Sequence, residues 1–261
     1  MRLIDSHAHL ADERFADDFD EVLQRAREVG VEAVIAIGYN VVSSRGVVDL
    51  LDRPTPAGAP ALYGAVGFAP HNVDEADPES MVQVHDLLDH DRVVAVGEIG
   101  LDYHYDMPRS AQRAIFAEQL EWAVEGGLPV VIHSREAQRD MVQLLTDAGA
   151  RSGQLRGVIH CFTEDPSMAE QVVDLGFYVS FSGIATFKNA PEVREAIGRV
   201  PLERTLIETD APFLAPVPHR GRRNEPAFVR EVAVCVAEIH GRSADEVAEV
   251  TAANCRRLFS L

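Results

Sequence analysis

The sequence predicts an α/β protein with the architecture of a (β/α)8 TIM barrel. Segments rich in β-branched and apolar residues recur along the chain, and each is followed by a segment with the 3.6-residue periodicity of an amphipathic helix. Most of the apolar segments are nearly continuous runs, as in parallel strands that are covered on both faces. Because the composition does not change along the 261 residues, we expect one domain spanning residues 1–261.

The individual elements follow from these patterns. The predicted strands are residues 2–6, 33–37, 62–66, 93–98, 130–133, 157–160, 178–182 and 205–210. The predicted helices are residues 17–29, 43–51, 78–88, 110–125, 136–148, 167–175, 191–200, 227–239 and 244–259. A doubly wound open sheet is the alternative, but no glycine-rich dinucleotide or phosphate loop follows the first strand. The closed barrel is therefore the favoured architecture.

The charge balance limits the classes of partner. The formal net charge is −18, from 42 acidic and 24 basic residues, which opposes a broad basic surface for nucleic-acid binding. A nucleic-acid substrate remains compatible if bound metals and a few local arginines supply the positive field. We expect a monomer that needs no obligatory protein partner.

Cysteine usage and the N-terminal segment bear on the compartment. The chain has 3 cysteines at unrelated spacings, which form neither a disulfide framework nor a zinc ribbon and fit a reducing compartment. The first residues lack the basic and apolar regions of a signal peptide, and no apolar run approaches about 18 residues. These features predict a cytoplasmic protein that does not associate with a membrane.

Metal-ligand residue types fall where predicted strands end. They are His7 and His9 on the first strand, Glu98 on the fourth, His133 on the fifth, His160 on the sixth and Asp210 on the eighth. The carboxyl ends of barrel strands converge on one face, where active sites are built. Each residue alone has another explanation, such as a core histidine, a buried salt bridge or a helix cap. Together they favour one binuclear metal site.

The donor types indicate the cations and the chemistry. Imidazole with carboxylate suits Zn²⁺, Mn²⁺ or Fe²⁺, and carboxylate-rich surroundings also admit Mg²⁺. Glu98 could bridge two divalent cations about 3.5–4 Å apart, the separation used in two-metal hydrolysis. Asp210 is the natural base for the proton of an activated water, so Glu98 and Asp210 are the candidate catalytic residues.

At these residues the sequence resembles the TatD family of metal-dependent nucleases, within the amidohydrolase superfamily. The resemblance runs from IDSHAH at residues 4–9 to NCRRLF at residues 254–259. Its most specific parts are VGEIGLDY (96–103), VIHSR (131–135), SFSG (180–183), TFK (186–188), ETDAPFL (208–214) and PHRGRRNEP (218–226).

The resemblance implies a (β/α)8 barrel, a divalent-metal site and phosphodiester hydrolysis, typically 3′→5′ exonucleolytic cleavage of DNA. The family's ligands fall on the six residues already selected. Glu208 is an extra candidate, either as a ligand or neighbouring carboxylate aimed the same way as Asp210 by strand alternation, or as an arginine partner. One departure is Ala69, where the family usually has the first histidine of Gly-x-His-Pro-His; it leaves open any substrate contact that this histidine makes in relatives.

Basic residues near the predicted strand ends are candidate phosphate contacts. Arg220, Arg222 and Arg223 follow the eighth strand, where barrels commonly bind phosphate. Lys188, the chain's single lysine, follows the seventh strand, and Arg135 follows the fifth. A solvated basic loop is the alternative for the arginines. We expect Arg220, Arg222, Lys188 and Arg135 to bind substrate.

Three functional hypotheses remain open at this point. The first is a metal-dependent deoxyribonuclease, with RNA as a further substrate class. The second is a hydrolase with the same metal site that acts on a small ester, amide or phosphoester. A deacylase that removes the acyl group from a charged RNA lies between the first and the second. The third is a catalytically silent binding protein, which the complete ligand set opposes.

Overall fold

The computed structural model describes the backbone of residues 1–261 and the side chains of residues 1–149 and 153–261. Over these residues the chain forms eight parallel strands, hydrogen-bonded in chain order into one sheet. They are β1 (Leu3–Ala8), β2 (Val31–Ile37), β3 (Ala61–Val66), β4 (Val93–Asp102), β5 (Val130–Arg135), β6 (Gly157–Ile159), β7 (Tyr178–Phe181) and β8 (Thr205–Ile207). The predicted (β/α)8 barrel is confirmed.

The barrel closes between β1 and the segment that follows β8. Ala8 and Ala211 form a parallel bridge. The Asp210 N–H donates to the carbonyl of His7 at 3.0 Å, and the His9 N–H donates to the carbonyl of Ala211 at 2.7 Å. The hydrogen bonds that close the barrel therefore bring three of the expected ligands to one seam.

Helices alternate with the strands. They are α1 (Phe19–Glu28), α2 (Val41–Asp52), α3 (Pro78–Asp86), α4 (Arg109–Gly126), α5 (Gln138–Ser152), α6 (Pro166–Asp174), α7 (Pro191–Arg199), α8 (Val229–His240) and α9 (Ala244–Phe259). Side-chain caps begin four of them, at Asn40, Asp77, Asp165 and Ser243. No helix in the described part of the chain combines the length and hydropathy needed to cross a bilayer.

Helix α9 covers the amino-terminal end of the barrel. Its residues Cys255, Leu258 and Phe259 are buried and pack with barrel residues such as Ile4 and Leu206. Asn254, also on α9, donates to the carbonyls of Leu202 and Thr205 at the start of β8. Because α9 closes the amino-terminal end of the barrel, only the carboxyl-terminal end of the strands is open for a functional site.

Two strand boundaries differ from the prediction in ways that matter for the site. Strand β4 continues past Glu98 to Asp102, because Ile99 to Asp102 keep pairing with β5. Strand β8 ends at Ile207, and Asp210 adopts a left-handed conformation with φ of 58°. Strand alternation therefore does not extend to Asp210, so it does not by itself fix the direction of the Asp210 side chain relative to that of Glu208.

Strands β4 and β5 approach each other closely at Gly100. This residue has φ of +138°, and a β-carbon built there would collide with the carbonyl oxygen of His133. Only glycine adopts this conformation without steric cost. Gly100 therefore allows β5 to lie against β4 at the position from which the His133 side chain projects.

Candidate active site

The six expected ligands meet at the carboxyl end of the barrel. A pocket of about 890 Å³ opens there. Its lining includes His9, Glu98, His133, His160 and Asp210. His7 is fully buried against them, with its ring stacked on that of His160 at a centroid distance of 3.9 Å.

Four of these side chains place one donor atom each around a common point. The Nε2 atoms of His7 and His9 are 3.3 Å apart. Glu98 Oε2 lies 3.8 Å from His7 Nε2 and 3.7 Å from His9 Nε2. Asp210 Oδ1 lies 3.6 Å and 3.4 Å from the same two nitrogens. Donors about 2.0–2.2 Å from a tetrahedral cation are about 3.3–3.6 Å apart. Three of these five distances lie in that range, and the two to Glu98 Oε2 are slightly longer, so the spacing is close to that of a cation site.

A second donor group lies on the other side of Glu98. Its Oε1 atom is 3.3 Å from His133 Nδ1 and 3.2 Å from His160 Nε2. The donor atoms of these three residues all lie within 4.8 Å of one another, as do those of His7, His9 and Glu98. Each carboxylate oxygen of Glu98 thus faces a different set of histidines, the arrangement in which one carboxylate can serve two cations.

The far nitrogens of three histidines fix which nitrogen carries the proton. The Nδ1 atom of His9 lies 3.2 Å from the carbonyl of Ile37, which can only accept, so His9 Nε2 keeps its lone pair. His133 Nε2 donates to a carboxylate at 2.9 Å, and His160 Nδ1 donates to another at 3.3 Å. In each case the nitrogen nearest Glu98 is the one that can coordinate a cation once it carries no proton. Such partners are typical of metal-binding histidines.

Asp102 is the carboxylate behind His133, and it also contacts His71. Its Oδ2 atom accepts from His133 Nε2 and from His71 Nε2, both at 2.9 Å. Asp102 is 1% exposed, and its backbone is held by the side chain of Gln112. Sequence reasoning gave neither Asp102 nor His71 a role, because the predicted strand stopped at Glu98. Reading the alternation two steps further, through Gly100, would have placed Asp102 on the same face.

Glu208 lies behind His160. It is fully buried, and its Oε1 atom accepts from the backbone N–H of Cys161 at 2.7 Å and from His160 Nδ1. Its other oxygen has no hydrogen-bond partner among the described residues. These contacts are those of a carboxylate that orients His160, and the structure gives Glu208 no arginine partner within the described side chains.

Burial and charge set the protonation states of the centre. Burial lowers the pKa of His7 well below its ordinary value, and the nearby His160 lowers it further, so His7 is neutral. Burial also opposes charge on His160, but Glu98 and Glu208 raise the pKa of His160 well above its ordinary value. Burial would raise the pKa of Glu98, yet His160 and His133 hold it well below its ordinary value. Glu98 is therefore ionised, and the histidines around it favour its charged form.

The segment that carries Asp210 is held from two directions. Asp5, on β1, accepts from the backbone N–H of Thr209 at 2.9 Å and from its hydroxyl at 2.6 Å. The buried amide of Asn224 donates to the carbonyls of Thr209 at 2.8 Å and Phe213 at 2.6 Å. These bonds keep Asp210 in its left-handed conformation beside His7. The motif at residues 218–226 therefore has a structural role in part, because Asn224 belongs to it.

The candidate phosphate contacts are not all at the pocket. Arg135 is among its lining residues, but Arg220, Arg222 and Lys188 are absent from the described residues that line it. The Arg220 guanidinium lies 3.9 Å from the centroid of the Phe187 ring. Arg223 donates to both carboxylate oxygens of Asp18 at 2.7 Å, so its guanidinium is already paired within the protein, which favours a structural role over a phosphate contact.

Histidines whose near nitrogens converge on a shared carboxylate, at the open end of a closed barrel, are arranged for hydrolysis with divalent cations. The protein is a metal-dependent hydrolase with an amidohydrolase-like fold. The chain belongs to the TatD related DNase family, whose model matches residues 4–260. The family resemblance seen in the sequence is therefore confirmed.

Individual relatives cover nearly the full length of the chain. It is 37% identical over 260 residues to the uncharacterized metal-dependent hydrolase YabD of Bacillus subtilis, covering 99% of each chain. It is 34% identical to the 3′-5′ ssDNA/RNA exonuclease TatD of Erwinia tasmaniensis, covering 99% of this chain and 100% of the relative. The crystal structure of YjjV, a TatD homolog from Escherichia coli, superposes with a TM-score of 0.91 at 31% identity, covering 100% of this chain and 98% of that one.

Proposed function

We propose that this hydrolase is a two-metal phosphodiesterase that removes nucleotides from the 3′ end of DNA strands. The observation that carries the proposal is the position of Glu98, whose two carboxylate oxygens face separate groups of donors. Phosphodiester hydrolases with two metals use such a shared carboxylate to hold the cations close together. The 3′-to-5′ direction is supported by the relative from Erwinia tasmaniensis, which is named as a 3′-5′ ssDNA/RNA exonuclease.

The candidate ligands would divide between the two cations. His7, His9 and Asp210 would hold one, and His133 and His160 the other, with Glu98 shared. Mg²⁺, Mn²⁺ and Zn²⁺ all accept this mixture of imidazole and carboxylate. When bound, the cations supply Lewis acidity that stabilises charge on the phosphoryl group and lowers the pKa of water.

Asp210 is the residue that we assign to proton transfer. Its Oδ1 atom faces His7 and His9, and its side chain is 13% exposed at the pocket. The carboxylate can therefore accept a proton from water at its other oxygen, Oδ2. The left-handed backbone at Asp210, fixed by Asp5 and Asn224 through Thr209, holds the carboxylate at the pocket before substrate arrives.

The histidines bind and orient rather than exchange protons. Asp102 and Glu208 hold the rings of His133 and His160 by their far nitrogens, so that these rings cannot rotate away from Glu98. The burial of Glu98 and His160 lowers the local dielectric constant, which strengthens their electrostatic contacts. Arg135 at the pocket supplies a positive side chain for a phosphate on the same strand.

The test is a substrate panel with metal-reconstituted protein. End-labelled single-stranded DNA, duplex DNA and RNA are compared with chromogenic small esters, each with and without chelator. We expect stepwise shortening of single-stranded DNA from its 3′ end that chelator abolishes. Endonucleolytic products or 5′-to-3′ shortening would overturn the exonuclease assignment. Turnover of the esters with none of the nucleic acids would replace it with a small-molecule hydrolase.

A further inference from the structure

Among the described side chains, the exposed aromatic rings all lie at the pocket. Of the Phe, Tyr and Trp side chains that the structure describes, only Tyr105 and Phe213 are exposed, by 52% and 44%. Both line the pocket that contains the two donor groups. Large aromatic rings are normally buried on folding, and rings left in water at the edge of a pocket indicate a ligand that covers them.

The two rings lie beside different donor groups. Phe213 contacts His9 of the first group, with ring centroids 5.9 Å apart. Tyr105 contacts His71 at 5.2 Å, and His71 contacts His133 of the second group at 5.1 Å. A polymer that crosses the centre would therefore meet one exposed ring next to each donor group.

Each ring is also paired with a guanidinium. Arg14 lies 4.5 Å from the centroid of the Phe213 ring, where two hydrogen bonds of 2.8 Å and 2.7 Å to Asp12 hold it in place. Arg135 lies 5.5 Å from the centroid of the Tyr105 ring. Proteins that bind single strands combine aromatic platforms for bases with arginines near the backbone.

The charge of the pocket makes such platforms necessary. Its described lining contains the carboxylates of Glu98, Asp102, Glu136, Glu164 and Asp210, and Arg135 is its sole arginine or lysine. Few phosphates can be neutralised by side chains there, so contacts to the backbone alone give little affinity for a strand. Base stacking does not depend on charge and contributes at each nucleotide.

We propose that Phe213 and Tyr105 are two base-stacking sites, each receiving the base on one side of the scissile phosphodiester. The assignment rests on the proposed phosphodiesterase function and adds the part of the substrate that the metal centre does not recognise. Base stacking on these rings requires bases that are neither paired nor stacked within the DNA. The end of a duplex must therefore separate into single strands before it can be cleaved. Stacking on both rings also requires a base on both sides of the bond.

The first experiment measures how each ring contributes to substrate binding. KM and kcat are determined on single-stranded DNA for Phe213→Ala and Tyr105→Ala, with Phe213→Trp and Tyr105→Phe as variants that keep a ring. Val82→Ala, at an exposed apolar residue on α3, is the matched control. We expect each alanine variant to raise KM by roughly five- to a hundredfold with little change in kcat. The ring-retaining variants and the control should behave as the wild type.

The second experiment uses substrates that lack a single base. One oligonucleotide has an abasic site at the 3′-terminal nucleotide and another has it at the preceding nucleotide. The loss caused by Phe213→Ala should disappear on one of them and the loss caused by Tyr105→Ala on the other. A fluorescent 2-aminopurine at the same two positions should be quenched on binding by the wild type and less by the matching alanine variant.

The outcomes separate the two proposals. Wild-type cleavage of DNA with unchanged KM in both alanine variants would overturn base stacking and leave the phosphodiesterase intact. Losses that persist on both abasic substrates would also overturn it, because the rings would then act on the fold or the phosphates. Failure of the wild type to cleave any nucleic acid would overturn the phosphodiesterase, and the stacking sites with it.

Discussion

Two clusters of charged side chains near the barrel are built on opposite principles. In the cluster that joins α1 to the loop after β8, Arg25 binds Glu225 and Asp18, and Arg223 binds Asp18. Every charge there has an opposite charge within the protein. At the pocket, Glu98 is surrounded by histidines whose near nitrogens converge on it.

The difference separates a structural cluster from a functional one. Arginine and carboxylate that neutralise each other fix a loop and leave little for a ligand. A carboxylate surrounded by imidazoles, which give up protons when a metal binds, directs negative charge and nitrogen donors at the same space, and a divalent cation satisfies both. Arg223 illustrates this difference. It follows β8, where a phosphate-binding residue is expected, but its guanidinium is paired with Asp18 and holds the loop against the start of α1.

The largest effect is expected at Asp210. The variant Asp210→Asn keeps the shape of the side chain and removes the base, so kcat should fall by roughly a hundred- to ten-thousandfold. Circular dichroism and thermal unfolding should show an intact fold. Asp91→Asn, at an exposed carboxylate before β4, is the matched control and should retain full activity. Near-normal kcat in folded Asp210→Asn would remove this residue from the mechanism.

A smaller effect should follow from loosening one side of the centre. Asp102→Asn weakens the hydrogen bonds that orient His133 and His71, and partners of this kind contribute roughly ten- to a hundredfold in metal affinity or activity. Titration with Mn²⁺ should show weaker binding at one site and unchanged binding at the other. Equal weakening of both sites would mean that Asp102 supports the barrel rather than His133.

The arginine cluster should affect stability and leave catalysis unchanged. Arg223→Ala should lower the free energy of unfolding by about 1 kcal/mol, as is typical of a partly exposed ion pair. Its kcat/KM on DNA should stay close to that of the wild type. Arg222→Ala, one residue earlier in the same loop, is the comparison, and it tests the candidate phosphate contact. A loss of activity in Arg223→Ala without loss of stability would contradict the structural role.

The smallest expected effect is on how the free energy of unfolding depends on pH, and it comes from the same cluster of Arg25, Arg223, Asp18 and Glu225. Hydrogen bonds from Arg223 lower the pKa of Asp18 to about 2, a shift that burial opposes and Arg25 reinforces. Because the folded pKa lies below the unfolded value of about 3.9, the stabilisation is present above about pH 4 and is lost as the pH falls towards 2. Wild type and Asp18→Asn should therefore converge in stability over this window. Parallel curves between pH 5 and 2 would contradict the pairing.

The candidate metal ligands could be selected from the sequence because each lies in the carboxyl-terminal half of a strand or shortly after one. The apolar runs reveal where the strands stop, and the barrel brings their carboxyl ends together whatever the loops do. His133 and His160 could thus be grouped with His7 although they are far apart in the chain. The geometry of the loops did not enter this inference.

The remaining contacts depend on information that periodicity does not contain. The contact of Asp102 with His71 depends on the path of the loop after β3, and the position of Glu208 depends on where β8 ends. Lys188 and Arg222 follow strands as expected, but neither is among the described residues that line the pocket, because the paths of the loops set their positions. In the sequence, Phe213 and Tyr105 cannot be told from core aromatic residues. Only the structure shows that both rings are exposed at the pocket.

The central claim is that Glu98 serves two cation sites at once, and metal stoichiometry tests it most directly. Equilibrium titration with Mn²⁺, checked by elemental analysis, should give about two cations per chain for the wild type. His133→Asn should retain the site formed by His7, His9 and Asp210, whereas Glu98→Gln should weaken both sites together. A Glu98→Gln protein that keeps one site at wild-type affinity would show that the carboxylate belongs to a single cation, and the two-metal account would fail.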